Sequence, residues 1–468
     1  MLFHTPQFFL FFVVVVALFY GLPRPFRKYI LLVASYFFYM CWNAKFILLI
    51  VALTAIDYTA AMWIRSAATP ARRKAALIAS LAANLGFLGF FKYYNFLASN
   101  LALLMAKPPG EWALAIILPM GISFHTFQSM SYVIDVYRGE QEPITNAIDY
   151  ALYIAFFPQL VAGPIVRAHN FFNDLYHWRA PDAGEQLRGV WLVVFGLVKK
   201  LVVADQFARL ADAYFAHPAA YPGYFAAWSG VVAFSIQIFF DFSGYTDMAI
   251  GLAQLLGFRF PENFRRPYLA SSITDFWRRW HISLSSWLRD YLYIPLGGSR
   301  GSAARTCVNL MITMLLGGLW HGAAWTFVIW GALHSFYLIV HRVWSGIPWT
   351  PLVRIRQTIV WRWIARILLF NAVCLGWVFF RSPSFEIAFA VLRRLAVPGA
   401  ITLASVPVEM ALIAGLAGQF QPLRWRKALE FELGSWPAMA RGGAFAAAIF
   451  SIELLGPSGV APFIYFRF

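Results

Sequence analysis

Charge is what this chain has little of. Only 13% of its 468 residues are Asp, Glu, Lys or Arg, against about 25% in ordinary soluble domains. A water-facing surface around one globular core is therefore excluded. Cysteine is equally scarce: Cys41, Cys307 and Cys374 lie far apart, in or beside apolar segments, and offer neither a disulfide framework nor a metal-ligand spacing. No P-loop or dinucleotide fingerprint is present. No internal repeat is visible, which counts against a secondary transporter built from mirrored halves. The net charge of +17 does not imply nucleic acid, because no compact basic region exists to hold a duplex. The basic residues sit in short loops between apolar runs, where they set topology and meet anionic membrane lipids.

What the chain has in abundance is hydrophobic sequence, at 60%. Apolar runs long enough to span a bilayer recur at 7–22, 46–64, 112–134, 148–166, 224–240, 306–340, 364–380 and 440–456. With shorter pieces at 29–42 and 75–91, the pattern predicts an all-α polytopic membrane protein. It would have roughly 10–13 transmembrane helices plus re-entrant or interfacial ones around a central cavity. No other stretch is long enough for a separate soluble domain, so residues 1–468 are expected to form a single membrane-embedded domain. The first run lacks a basic residue before it and is followed by Arg24, Arg27 and Lys28, the reverse of a secretory signal peptide. It reads as a retained anchor with its N-terminus outside.

The segment 306–340 contains no Asp, Glu, Lys or Arg, yet it holds His321 among Gly317, Gly318 and Gly322, and His334 beyond them. Arginines flank it on both sides and no acid occurs between Asp290 and Glu386, so both flanks favour the cytoplasm. Thirty-five residues would make a helix of about 52 Å, too long for one crossing and short for two. The pattern predicts a helix broken near Gly317–Gly322, with His321 beside the break and a cavity at the histidine. An ionisable side chain at membrane depth is functional by default. The alternative is a neutral imidazole hydrogen-bonded across a helix interface.

A second histidine lies in "SSITDFWRRWHISLSSWLRDYLYIPLGG". Ser272 or Thr274 can cap a helix, and Pro295 with Gly297 and Gly298 ends it. Trp277, His281, Leu284 and Leu288 fall on one helical stripe, which places His281 on the buried face. Asp275 and Arg279, four apart, support the exposed side. From Arg259 to Arg305 there are eight arginines and three acids, a balance suited to a phosphate-bearing donor. Asp241 and Asp247, around Ser243 and Gly244 at the edge of two apolar runs, read as capping or interfacial groups rather than metal ligands. "FFPQLVAGPIVR" (156–167) reads as a helix broken by Pro158, Gly163 and Pro164.

Taken together, "SITDFWRRWHISLSSWLRDYLYIPLGGSRG" and "NLMITMLLGGLWHGAAWTFVIWGALH" resemble the membrane-bound O-acyltransferase family, in its bacterial exopolysaccharide O-acetyltransferase branch. The likeness runs in order through "LPMGISFHTFQSMSYVIDVYRG", "FFPQLVAGPIVR", "FDFSGYTDMAIGL", "GFRFPENFRRPY" and "APFIYFRF", nearly the whole chain. It implies that His321, in the WHG motif, is catalytic and that His281 is the second functional histidine. It further implies acetyl-coenzyme A as a cytoplasmic donor, no metal, and acetyl delivery outward across the bacterial inner membrane to alginate or cellulose. Periplasmic hydrolase-like acetyltransferases would complete the transfer beside the exopolysaccharide synthesis machinery. Arg278, Arg279, Arg289 and Trp280 are the expected coenzyme-binding residues. His125 stands where an aromatic residue is expected and reads as packing variation. Residues 383–440 are the least informative. Peptidoglycan, teichoic acid or a lipid are alternative acceptors, and a proton-coupled transporter using both histidines is the competing class.

Overall fold

The computed structural model describes residues 1–221 and 223–397, and beyond them 410, 412–413, 415–416, 432, 434–455 and 463–464. The protein is all-α and polytopic, and no strand occurs among the described residues. Six helices there are long and apolar enough to cross a membrane: Ala44–Ser66, Pro70–Leu104, Tyr224–Leu255, Ala303–His321, Trp325–Gly346 and Ile359–Arg381. Pro6–Gly21 and Met439–Phe450 are shorter apolar helices. The chain groups into two compact units, Met1–Val193 with Thr246–Pro261, and Val194–Tyr245 with Glu262–Phe468.

The first unit is built on α1 (Pro6–Gly21), α2 (Arg24–Met40), α3 (Ile47–Ser66), α4 (Pro70–Leu88), α5 (Tyr94–Leu104), α6 (Ile122–Arg138), α7 (Ala147–Ala155), α8 (Phe157–Leu160) and α9 (Ala168–Tyr176). Two of the apolar runs are not continuous helices. In 112–134 the first ten residues are non-helical and the helix begins only at Ile122. Pro119 disfavours helix before it, Gly121 takes a φ of 73°, and Asn95 pins Leu114 through both its N–H and its carbonyl at 2.9 Å. In 148–166 the helix stops at Ala155, with only a short turn before extended chain. All of Asp149–Val166 is buried in protein, which is why an apolar run here makes a core segment and not a lipid-facing span. The basic residues after α1 lie in the first turns of α2: Lys28 pairs with Asp149 at 2.7 Å and Arg27 lies 4.2 Å over the Trp178 ring.

The second unit takes in α11 (Asp205–Ala216), most of α12 (Tyr224–Leu255), α13 (Ile273–Trp277), α14 (Ile282–Leu288), α15 (Ala303–His321), α16 (Trp325–Gly346), α17 (Thr350–Gln357), α18 (Ile359–Arg381), α19 (Phe385–Leu395) and α20 (Ala438–Leu455). α10 (Ala183–Leu197) and α12 each run from one unit into the other. Asp241 and Asp247 lie in the middle of the 32-residue α12, not at an edge between two runs. Ser243 and Gly244 do not break the helix, and Gly244 permits a close approach, since a Cβ there would come 2.8 Å from the Gly196 carbonyl oxygen. Asp241 accepts from the buried Lys200 ammonium at 2.9 Å, Lys200 also reaches Asp205 at 2.7 Å, and Ile464 N–H donates to Asp241 at 2.7 Å.

The segment around His321 folds as expected into a broken helix. α15 ends at His321, Gly322 is extended, and α16 starts at Trp325. The two arms together extend beyond the charge-free stretch, back to Ala303 and on to Gly346. The arms meet through glycines: a Cβ on Gly318 would run into the Phe327 carbonyl oxygen, and one on Gly331 into that of Met314. Small residues that let backbones approach are what helix association in lipid relies on. Gly318→Val is expected to destabilise the protein by about 1–3 kcal/mol through forced separation of backbones. Thermal unfolding of the detergent-purified variant against the unchanged protein measures it; equal melting would refute the close-approach role.

Candidate active site

His281 is fully buried, as its helical stripe suggested, but not by the expected means. The predicted continuous helix is interrupted: α13 ends at Trp277, and His281 takes φ 43° and ψ 57° as the residue that starts α14. A left-handed conformation costs a non-glycine residue about 1–2 kcal/mol, so something must hold it. Asn263 does so. Its side-chain oxygen accepts from Ser283 N–H at 3.0 Å and Ser283 Oγ at 2.9 Å and faces His281 Nδ1 at 3.2 Å. Its backbone carbonyl accepts from Ile282 N–H at 2.9 Å. Because Asn263 Oδ1 is an acceptor in this network, His281 Nδ1 carries the hydrogen and Nε2 the lone pair. Burial holds this imidazole below the usual histidine range, in its neutral form. Ser272 caps α13 by accepting from Asp275 N–H, and Arg279 pairs with Asp275 at 2.8 Å.

His321, the last residue of α15, is also buried. Its ring is framed by Trp320 at 5.0 Å, Trp330 at 5.0 Å and Phe380 at 5.2 Å, all near edge-on. Trp320 packs on His281 as well, at 6.0 Å. One indole therefore stands against both histidines, which the sequence separates by forty residues. Phe242 packs edge-on to His281 at 4.6 Å.

The other expected residues divide. Trp280 is 1% exposed and packs with Phe276, Phe264 and Trp377, a place in the aromatic core. Arg278 and Arg289 are exposed. Arg289 pairs with Asp290 at 2.7 Å, while Arg279 is half-buried by its own ion pair. Asn263 lies within the family-like stretch "GFRFPENFRRPY", but its eighteen-residue separation from His281 carries no periodic signal that would single it out.

This arrangement is that of a multi-pass membrane protein with two buried imidazoles set against one tryptophan in an aromatic wall. The model of the MBOAT, membrane-bound O-acyltransferase family, matches residues 141–381, a range that contains both histidines and Asn263. The chain is 44% identical over 394 residues to a probable alginate O-acetylase of Pseudomonas aeruginosa, covering 83% of this chain and 73% of that one. A probable alginate O-acetylase of Pseudomonas putida is 38% identical with 98% of both chains covered. A peptidoglycan O-acetyltransferase of Helicobacter pylori is 38% identical over 87% of this chain and 82% of its own. The chain belongs to the membrane-bound O-acyltransferase family and is an O-acyltransferase.

Two outcomes follow from this geometry. Asn263→Ala removes three side-chain hydrogen bonds and should lower turnover by about tenfold or more by releasing the His281 ring; full turnover in a folded variant would refute the clamp. The unfolded chain protonates His281 near pH 6.5 while the folded ring stays neutral, so the unfolded state binds more protons and stability falls as pH drops below about 6.5. Melting temperature followed from pH 8 to pH 5 should decline less steeply in His281→Gln.

Proposed function

We propose that this chain, acting as one membrane-embedded acyltransferase domain, takes acetyl from cytoplasmic acetyl-coenzyme A and passes it across the bacterial inner membrane for O-acetylation of an exopolysaccharide. The observation that carries this reading is the pair of buried histidines sharing Trp320 in a member of this family. His321 is the general base. As the acceptor hydroxyl attacks the thioester carbonyl, its proton passes to His321, the carbon–sulfur bond breaks, and the proton is handed to the departing thiolate; such catalysis contributes about 10²–10⁴-fold. His281, held by Asn263 through Nδ1, orients the thioester or stabilises the developing oxyanion. Arg278, Arg279 and Arg289 hold the coenzyme phosphates, Arg279 and Arg289 each also pairing with a neighbouring carboxylate, and Trp280 supports the wall from the core. The relatives named for alginate favour a secreted polysaccharide, with periplasmic acetyltransferase partners and the synthesis machinery receiving the group; the peptidoglycan relative makes a cell-wall glycan the second reading. The N-terminus lies on the periplasmic side.

Release of free coenzyme A by the purified protein with its periplasmic partner tests the class, since a transporter releases none. His321→Ala should leave a folded, membrane-inserted protein whose acetyl transfer falls by about 10²-fold or more. Normal acetylation by that variant would remove the assignment of the base.

A further inference from the structure

His334, thirteen residues after His321 on α16, has no part in the chemistry above. It is fully buried, and neither ring nitrogen has a hydrogen-bond partner among the described residues. The same holds for the buried indole Nε1 atoms of Trp277 and Trp330. These rings lie together: His334 is 5.1 Å from Trp277 and 4.6 Å from Trp330, and the indoles are 5.8 Å apart. Gly376 of α18 adjoins them, and the Cβ it lacks would stand 3.0 Å from His334 Nε2.

Buried polar groups in native proteins are satisfied by protein or by ordered water, and water is held where several polar partners converge. Two indole N–H groups can only donate, while a neutral imidazole donates once and accepts once. A ligand for this set must both accept and donate, and it must be small enough for a closely packed aromatic cluster. An apolar guest would leave the N–H groups unmet, and a cation would face two donors.

We propose that Trp277, Trp330 and His334 form a binding site for ordered water, and that His334 is thereby a positioning residue for His321. The link is Trp330, whose ring also packs edge-on against His321 at 5.0 Å. Water that ties the Trp330 N–H to His334 fixes the indole about its side-chain torsions, and with it one wall of the His321 ring. This inference rests on His321 being the base.

The test compares His334→Phe, which keeps ring shape without polar atoms, His334→Gln, which keeps a donor and an acceptor, and Trp330→Phe, which keeps a ring without N–H. Acetyl-coenzyme A turnover is measured on the full chain with its partner, beside His321→Ala. His334→Phe and Trp330→Phe should each lower kcat by about tenfold or more with KM for the donor unchanged, while His334→Gln stays close to the unchanged protein. If His334→Phe works as well as the unchanged protein, or if Gln and Phe lose kcat equally, the residue only packs and the inference falls. Should His334→Phe fail to fold, the other two variants decide: loss in Trp330→Phe with retention in His334→Gln supports the site, and any other pairing overturns it. An active His321→Ala removes the base assignment itself; an inactive one beside a fully active His334→Phe removes only the water site.

Discussion

A helix that stops inside a membrane protein leaves carbonyls and N–H groups that water cannot reach, and every break must be satisfied by protein. This protein depends on such breaks. At His281 the chain turns into the left-handed region, and Asn263 receives the donors of the next turn. At Gly322 the chain reverses between two helices whose glycines bring their backbones together. At Gly121 the φ of 73° starts α6 against the Leu160 carbonyl. Two of these breaks deliver a histidine to one tryptophan.

The same constraint governs charge. A lone ammonium or carboxylate in this interior is costly unless paired, and the buried charges here are paired or hydrogen-bonded. Lys200 lies between Asp205 and Asp241, and the excess negative charge on Asp241 is met by the Ile464 N–H. Asp57 accepts from Ser80 at 2.6 Å and Asn84 at 2.8 Å. The Asp57 group ties the consecutive helices α3 and α4, and the Asp241 group ties residues 200, 241 and 464. Asp241 anchors residue 464 beside Phe242, which packs on His281, so the histidine's surroundings rest on a buried ion cluster as well as on aromatic contacts.

What the sequence disclosed follows from which interactions are local. The break at His321 was legible because absent charge, flanking arginines and clustered glycines all occur within one short stretch. The burial of His281 was legible from periodicity, but its mechanism was not: periodicity assumes an unbroken helix, and nothing in "RRWHIS" marks a left-handed histidine. That conformation is imposed by Asn263, an interaction across eighteen residues. The pairing of Lys200 with Asp205 and Asp241 was not legible, because spacing alone does not reveal it. The run 112–134 looked like a span because hydropathy does not register the pinning of Leu114 by Asn95.

The two histidines are held in different ways, and the difference bears on their roles in the reading proposed above. His281 is gripped through a nitrogen: Asn263 Oδ1 selects one tautomer, and burial keeps the ring neutral. Such a hold suits a group that keeps one protonation state throughout turnover. His321 is gripped through its ring, by three aromatic neighbours at interplanar angles of 79°, 84° and 68°. Packing of that kind restricts the plane of the ring by shape. A general base gains and loses a proton in every cycle, and a ring plane restricted by packing is kept at both stages. The aromatic wall thus fits the histidine that changes state, and the amide clamp fits one that keeps a single tautomer.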